Sequence, residues 1–273
     1  MQKISGQPLA SVIVPTKNSE STVERCLKSI KEQSYENVEI IVVDNYSTDR
    51  TRNIAAKYGV KFYLKGPERS AQVNFGSRKA HGKYVYRVDS DFVLQPDVIL
   101  EAVESCERFS YDAIVIHNTS DPRVSFWAKI RKVERDCYKN DELNVAARFW
   151  RKKVFFAVGE FDENLVAGDD YDFHNRFVEQ GFKIGRIKAE EVHIGEPKTL
   201  VEVVRKHYYY GKNIHRFIKK NPGKALWQLS PLRASHVKGF LKFCRDPVLL
   251  MGFVIYQVAR YAATGMGMIL SKF

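Results

Sequence analysis

Tyr84-Val-Tyr-Arg-Val-Asp-Ser-Asp91 is an apolar, β-branched stretch that ends in two carboxylates, and it decides the fold. Similar short runs occur at Ser11–Pro15, Val38–Asp44, Val60–Leu64 and Ala113–His117, with helical spacing between them. This alternation is typical of βαβ units around a mainly parallel sheet. The sequence therefore predicts an α/β fold in which a Rossmann-like sheet is flanked by helices.

Capping residues and helix stops place the intervening helices. Ser21 predicts a capping box, and Ser47 or Thr48 predicts the cap of a helix that stops at Gly59. Thr199 predicts another cap, at the start of a long basic helix. Further helices are expected at about 70–80, 96–109, 125–139, 168–181 and 199–221.

The composition of the 273 residues, 44% hydrophobic and 28% charged, fits a folded protein and excludes a disordered tail or a polytopic membrane protein. The four cysteines form no Cys-x-x-Cys pair, so neither a zinc knuckle nor a dense disulfide framework is expected. Residues 1–10 contain no apolar signal-peptide core. We therefore expect a cytoplasmic protein in a reducing compartment.

The net charge of +12 is concentrated towards the C-terminus. Residues 203–245 contain eleven Lys and Arg and no Asp or Glu, whereas residues 1–202 are neutral overall. Basic segments attract polyanions such as nucleic acid, anionic lipid headgroups or a diphosphate substrate. With Pro222-Gly223 as the boundary signal, we expect a catalytic domain over 1–221 and a basic, amphipathic helical appendage over 222–273.

Residues 247–270 contain a single charge, Arg260, and their uncharged part, 247–259, is shorter than the about 20 apolar residues of a spanning helix. An in-plane helix on the membrane surface is the preferred interpretation, with a spanning helix and a packed core helix as alternatives. The cations interleaved with Trp227, Phe240 and Phe243 suit the headgroup zone. We therefore expect peripheral binding to an anionic membrane surface at its cytoplasmic face, and no nucleic acid partner.

Two carboxylates, Asp89 and Asp91, stand at i and i+2 where the fourth predicted strand ends. Ligands bind at the carboxyl ends of parallel strands, and Mg²⁺ takes few carboxylates while keeping positions for water and phosphate oxygens. The pair therefore predicts a site for a metal-bound diphosphate, although a solvated turn is the alternative.

Other polar side chains are expected near that site. Asp44 ends the second strand, at the same edge of the sheet, where it can contact a base or ribose. Asp169-Asp170 begins a helix, where backbone donors favour ionised carboxylates, and an ionised Asp170 could accept a proton from an attacking hydroxyl. His193 is either a metal ligand or a satisfied surface histidine.

These residues, in this order, resemble glycosyltransferase family 2, inverting enzymes of the GT-A fold that use nucleotide-diphosphate sugars. The resemblance covers Ser11 to about Phe217. It rests on Ser11-Val-Ile-Val-Pro-Thr-Lys-Asn18, Val43-Asp44-Asn45-Tyr46-Ser47-Thr48-Asp49, Arg69-Ser-Ala-Gln72-Val-Asn74-Phe-Gly76 with Ala80-His-Gly82, Asp89 with Asp91, Gly159-Glu-Phe161-Asp162-Glu163, Gly168-Asp169-Asp170 and Tyr209-Tyr210-Gly211-Lys212.

The resemblance implies a role for individual residues. Asp170 would be the general base, with Asp169 beside it, and Asp91 would coordinate Mg²⁺ or Mn²⁺ most directly. Asp89 would lie near the ribose or a metal-bound water, and His193 near the diphosphate as a third metal ligand. The nucleotide pocket would be lined by Pro15, Thr16, Asn18, Asp44 and Arg69.

The chain differs from the family pattern at three places. Lys17 stands where an aromatic residue is frequent, and Asn45-Tyr46 replaces the usual Asp-Gly; both differences concern nucleotide identity. Asp169 replaces the commoner Glu.

The predicted function is transfer of a sugar from a nucleotide-diphosphate sugar to a hydroxyl or phosphate acceptor, carried on a lipid or a growing glycan. One alternative is a metal-dependent phosphohydrolase that uses Asp89 and Asp91, although Phe92 stands where such enzymes place a small hydroxyl residue. Another is a non-enzymatic membrane or nucleic-acid adaptor built on the basic end. A dinucleotide dehydrogenase is not expected, because no Gly-x-Gly-x-x-Gly follows the first strand.

Overall fold

The computed structural model describes residues 6–139, 141, 146–230 and 241–271. The strands are β1 Ala10–Thr16, β2 Val38–Asp44, β3 Lys61–Leu64, β4 Tyr84–Arg87, β5 Phe92–Leu94, β6 Ala113–Ser120, β7 Ala147–Arg151 and β8 Ile184–His193. The helices are α1 Val23–Lys31, α2 Thr51–Lys57, α3 Glu68–Lys79, α4 Val98–Phe109, α5 Phe126–Asp136, α6 Lys152–Ala157, α7 Asp169–Glu179, α8 Leu200–Lys220, α9 Pro222–Gln228 and α10 Pro247–Leu270.

The strands form one sheet in the order β3-β2-β1-β4-β7-β6-β8-β5. The first four are parallel, and the register places Thr16 beside Asp44 and Ile13 beside Arg87. β7 then pairs antiparallel with both β4 and β6. This confirms the predicted α/β sheet, and it places the ends of β1, β2 and β4 at one edge.

Burial explains why these segments are strands. Every residue of β1 is buried, because β1 lies between β2 and β4 and is covered on both faces. α1 packs Val23, Leu27 and Ile30 into the same core as Val12 and Val14. A near-continuous apolar run is the pattern of a strand buried on both faces.

Two predicted caps are wrong and one is confirmed. α1 starts at Val23, since the Ser19 carbonyl already accepts from the backbone N–H groups there, so Ser21 caps nothing. α2 starts at Thr51, because Ser47 and Thr48 hydrogen-bond to the ends of β1 and β2 instead. Thr199 caps α8 by accepting from the N–H of Glu202 at 3.2 Å.

The chain folds as two compact units. The first contains residues 1–117, 146–163 and 173–192, and the second contains 118–145, 164–172 and 193–273. The predicted boundary between residues 221 and 222 stays a prediction, and these units divide the chain elsewhere because α8 packs with α9 and α10 in the second unit.

Close backbone approach joins α8 to α10 inside the second unit. A Cβ atom on Gly211 would overlap the carbonyl of Thr264, and one on Gly267 would overlap the carbonyl of Tyr208. Arg260 of α10 donates to Glu134 of α5 at 2.9 Å. α10 is long and apolar enough to cross a membrane by length and composition, but it is fixed to α5 and α8 by these contacts.

The glycine contact predicts opposite effects of two matched substitutions. Gly211→Ala should lower the free energy of unfolding by about 1–3 kcal/mol, because the added methyl must displace the α10 backbone. Gly265→Ala, in open space on α10, should raise it by up to about 1 kcal/mol through helix propensity. Denaturant unfolding of both variants measures the difference, and equal effects would contradict the packing.

Candidate active site

Asp44 organises the end of β2. Its Oδ1 accepts from the hydroxyls of Thr16 at 2.7 Å and Ser47 at 2.6 Å, and its Oδ2 accepts from the N–H of Ser47 at 2.7 Å. The residue is only 2% exposed. Since a carboxylate has about four acceptor positions, one remains for a ligand. The predicted nucleotide contact of Asp44 stays a prediction.

The loops after β1 and β2 are joined by side chains that the family resemblance singled out. Lys17 Nζ donates to the carbonyls of Asn45 at 2.6 Å and Tyr46 at 3.1 Å. Asn18 Oδ1 accepts from the N–H of Thr48 at 2.9 Å. In this chain the hydrogen bond from Lys17 to Asn45 therefore holds the two loops together.

Tyr46, whose carbonyl accepts from Lys17, has an unusual backbone conformation. Its φ is 51°, in the left-handed region that favours glycine, and its side chain is 59% exposed. A non-glycine residue in this conformation costs about 1–2 kcal/mol. The structure thus presents an exposed aromatic ring at the edge where β1 and β2 end, which the sequence signals only by replacing the family's glycine.

Pro15 and Thr16 end β1 beside Val43 and Asp44. Gln72 of α3 donates to the carbonyls of Thr16 at 2.9 Å and Val43 at 2.5 Å, so α3 fixes the strand ends. The predicted nucleotide residues Pro15, Thr16 and Asp44 therefore lie together on the first unit.

Three arginines surround Asp89, which follows β4. The Oδ2 atom lies 3.2 Å from Arg148 Nη2 and 3.5 Å from Arg69 Nη1, and Oδ1 lies 3.5 Å from Arg87 Nε. Burial alone would raise the pKa of this carboxyl, but Arg87, Arg148 and Arg69 outweigh it and hold the pKa well below its ordinary value. Asp89 is therefore an ionised, fully compensated charge.

Arg148 links that loop to β8. Its Nε lies 3.1 Å from Glu191 Oε2, and the hydroxyl of Tyr86 donates to Glu191 Oε1 at 2.6 Å. Burial raises the pKa of Glu191, and Arg148 opposes this shift. The Cys26 thiol donates to the Asp89 carbonyl at 3.7 Å, and burial, together with Asp91 and Asp89, raises its pKa. This thiol is therefore a packing group rather than a nucleophile.

The residues of the Asp89–Asp91 loop fit only a metal ion that needs one or two protein carboxylates. No group of three His, Cys, Asp or Glu side chains that could hold a metal occurs in the part of the chain described. Mg²⁺ and Mn²⁺ sites in phosphate chemistry need only one or two carboxylates, with the substrate supplying the rest. Half-buried Asp91 fits that role, whereas the charge of Asp89 is already met by arginines.

In the second unit, α7 starts with Asp169, Asp170 and Asp172. Asp169 is buried and Asp170 is half-buried. Asp172 accepts from Lys220 Nζ at 3.2 Å and from Asn221 Nδ2 at 3.1 Å. The three carboxylates occupy the first turn, where the helix dipole favours ionised groups.

Gly168 allows this start of α7. Its φ is 79°, and a Cβ there would lie 2.5 Å from the ring of Phe217 on α8. Only glycine fits both constraints, so the position of Asp169 and Asp170 is set by α8. Their predicted catalytic roles stay predictions.

His193 ends β8 inside the second unit. Its Nδ1 lies 2.8 Å from Glu196 Oε1, which Arg135 Nε also approaches at 3.1 Å. His193 is buried, so the surface-histidine alternative is wrong. A carboxylate partner at Nδ1 is the arrangement that orients a metal-binding histidine, with Nε2 as the ligand atom. Its predicted metal contact stays a prediction.

Sequence reasoning missed Arg87, Arg148 and Glu191. Arg87 carried a signal, because it interrupts an otherwise apolar buried strand and so had to be paired. Arg148 and Glu191 lie on β7 and β8, whose strand character was not predicted, and their spacing from Asp89 in the chain hides the contact.

The ion pairs of Arg148 predict a large stability loss. Arg148→Met should lower the free energy of unfolding by about 3 kcal/mol or more, because it leaves Glu191 buried without its cation. The double change Arg148→Met with Glu191→Leu should recover part of that loss. Arg50→Met, which removes an exposed pair with Glu20, should cost below about 1 kcal/mol. Equal losses for Arg148→Met and Arg50→Met in urea unfolding would contradict the account.

Known proteins resemble this chain over the regions just described. The profile of the family Glycosyl transferase family 2 matches residues 11–162. An uncharacterized glycosyltransferase of Rickettsia typhi is 24% identical over an alignment of 196 residues that covers 65% of this chain and 61% of that protein. The poly(ribitol-phosphate) beta-N-acetylglucosaminyltransferase TarS of Staphylococcus aureus is 33% identical over an alignment of 117 residues that covers 39% of this chain and 20% of TarS. The chain thus spans less than two thirds of the length of these relatives.

Two solved structures share the fold. Mannosyltransferase PcManGT from Pyrobaculum calidifontis, solved in complex with GDP-Man and Mn²⁺, superposes with a TM-score of 0.66 at 16% identity, over 98% of this chain and 88% of that one. S. aureus TarS 1-349 gives a TM-score of 0.56 at 18% identity, over 97% and 90%. Both likenesses support the GT-A arrangement of the sheet and helices. Because the family profile matches more than half of the sequence, the chain belongs to glycosyl transferase family 2, a family of glycosyltransferases.

Proposed function

We propose that the chain is an inverting glycosyltransferase, which moves a sugar from a nucleotide-diphosphate sugar to a hydroxyl or phosphate acceptor on a lipid or a growing glycan. The observation that carries the proposal is the grouping of Thr16, Asp44, Asp89 and Asp91 at the ends of β1, β2 and β4. Structures of PcManGT with GDP-Man and of TarS with UDP-GlcNAc support the choice of donor class.

The donor would bind to the first unit. Pro15, Thr16 and Asn18 would line the nucleotide pocket, and Asp44 would use its remaining acceptor position on the base. The Arg69 side chain is 34% exposed while it contacts Asp89, so its guanidinium can also reach a phosphate oxygen. The exposed ring of Tyr46 adds a stacking surface for the base.

A divalent ion fits this site through Asp91. The family resemblance adds His193 as a further ligand, and that assignment stays a prediction from the sequence. When bound, Mg²⁺ or Mn²⁺ neutralises the charge that builds on the leaving diphosphate. The mannosyltransferase solved with Mn²⁺ supports this choice of ion. Asp89, held by its arginines, would keep the loop in place and face the ribose rather than the ion.

Asp170 would accept the acceptor's proton while its oxygen attacks the anomeric carbon. A single displacement inverts the configuration at that carbon. Asp169, buried beside Asp170 in the first turn of α7, would support the base. The position of Asp170 in the first turn of α7 supports this role, since the N-terminus of a helix favours negative charge.

Family membership favours this function over the two alternatives weighed on sequence. A phosphohydrolase would use Asp89 as a reacting group, yet the Asp89 carboxylate already forms ion pairs with three arginines. An adaptor built on the basic end alone leaves the ordered carboxylates of the first unit unexplained.

The base assignment predicts a specific kinetic result. Asp170→Asn should retain nucleotide-sugar binding but lower the transfer rate by about two to four decades, the usual contribution of general base catalysis. Donor affinity is measured by calorimetry with the nucleotide sugar, and turnover by release of the nucleoside diphosphate in the presence of acceptor.

Glu179→Gln is the matched control, because it removes one carboxylate charge from an exposed position on the same helix. This control should leave turnover unchanged. Turnover of Asp170→Asn close to that of the unmodified chain would remove Asp170 from the role of base. Absence of binding of any nucleotide sugar to the unmodified chain would contradict the proposed function as a whole.

A further inference from the structure

α10 turns an apolar surface away from the rest of the second unit. We call this surface the outer face; its large side chains are 47–64% exposed and include Val248, Met251, Val254, Val258, Met266 and Ile269. They recur at intervals of three and four residues, except between 258 and 266, where Ala262 stands at the expected position. The outer face carries no charged residue, since the one charge of the helix, Arg260, lies on another side.

The inner side of α10 carries the single charge of the helix together with small, aliphatic and aromatic residues, Phe253 among them. Arg260 pairs with Glu134, which is fully buried, and Tyr256 packs on His207 and Trp127. Gly267 makes the close approach to α8. A surface helix of a water-soluble protein turns a polar side to solvent, whereas α10 has apolar side chains on its inner side and on its outer face. Continuous exposed apolar surface of this kind marks a contact with a partner or a membrane.

The exposed charges of the second unit indicate what covers the outer face of α10. The exposed cations Lys219, Lys242 and Arg245 lie on α8 and in the segment just before α10, and no acidic residue occurs between 203 and 245. α9, which packs with Met268 of α10, exposes Trp227 to 71%. A second copy of this chain would bring like charges together, whereas an anionic bilayer complements them. Exposed tryptophan beside lysine is the composition of a headgroup contact.

The packing of α8 beside α10 indicates how α10 lies relative to a membrane. Val203 of α8 lies in one apolar cluster with Phe253 and Tyr256, and Ile214 lies in another with Met268, so α8 and α10 run side by side in the same direction. Exposed Arg205 and Lys212 of α8 lie within that paired length. A spanning α10 would carry these cations into the hydrocarbon, where charged side chains are strongly unfavourable.

We propose that the outer face of α10 docks the chain, in the plane of the membrane, on the surface of an anionic bilayer. The apolar side chains enter the acyl boundary while Trp227 and the cations stay at headgroup level. Of the two aromatic neighbours expected to act with Trp227, Phe243 is buried in the cluster with Val203 and Phe253 and takes no part, and Phe240 lies outside the described residues. This proposal makes the chain a peripheral membrane protein and is independent of the proposed reaction; the cytoplasmic face stays a prediction from the sequence.

The first test is flotation of the full chain with vesicles of phosphatidylglycerol and phosphatidylcholine, compared with phosphatidylcholine alone. The chain should float with the anionic vesicles, and binding should fall as salt is added. Val258→Glu should reduce the bound fraction about tenfold or more, because it places a charge in the apolar contact.

Phe109→Glu is the matched control, since Phe109 on α4 is 53% exposed and lies on the first unit. It should bind vesicles like the unmodified chain. Both variants should unfold at the same temperature as the unmodified chain, so lost binding is not lost folding. No flotation with anionic vesicles, or an equal loss for the two variants, would overturn the proposal.

A second test measures orientation. In the variants Met251→Trp and Ile269→Trp, whose positions lie about 27 Å apart along the helix, the added tryptophan should be quenched equally by lipids brominated at a shallow position. Unequal depths would overturn the in-plane orientation. Light scattering without lipid checks the other occupant: a dimer that Val258→Glu converts to a monomer, with no vesicle binding, would make the outer face a subunit interface and overturn the proposal.

Discussion

The charge of Asp89 is the constraint on which the first unit depends. The Asp89 side chain is only 17% exposed, a carboxylate so largely removed from water must be paired, and here Arg87, Arg69 and Arg148 supply the cations. The three arginines come from β4, α3 and β7, so compensation of one charge holds three elements together. Arg148 also pairs with Glu191 and so connects β8 to the same group of charges. The loop that presents Asp91 is therefore held to the sheet by the ion pairs of Asp89.

In the second unit a buried ion pair and close glycine contacts have the same organising effect. Glu134 is fully buried and accepts from Arg131, Tyr138 and Arg260. Because Arg260 is the one charge of α10, this contact sets which side of the helix turns inward. The apolar outer face of α10 follows from that choice, and so does the inference that a bilayer covers it.

Sequence reasoning predicted the elements whose pattern is local. β1, β2 and β4 were found because their apolar runs are continuous, and Asp44 and Asp89 were assigned to one edge because parallel strands end together. β7 was not found, because it pairs antiparallel and carries Arg148 at a buried position. The partners of Asp89 could not be predicted either, since ion pairs between residues 59 positions apart leave no periodic signal. The predicted helix cap at Ser47 was wrong for a related reason: the Ser47 hydroxyl donates to Asp44 Oδ1 instead.

The central claim is that the edge formed by β1, β2 and β4 binds a nucleotide-diphosphate sugar together with a divalent ion held by Asp91. The most direct measurement is the unfolding temperature of the chain and of Asp91→Ala with UDP-, GDP- and dTDP-sugars, each with Mn²⁺ and with EDTA. The account predicts that one nucleotide raises the Tm of the unmodified chain in Mn²⁺ only, and that Asp91→Ala abolishes the rise. A rise of equal size in EDTA, or none with any nucleotide, would contradict it.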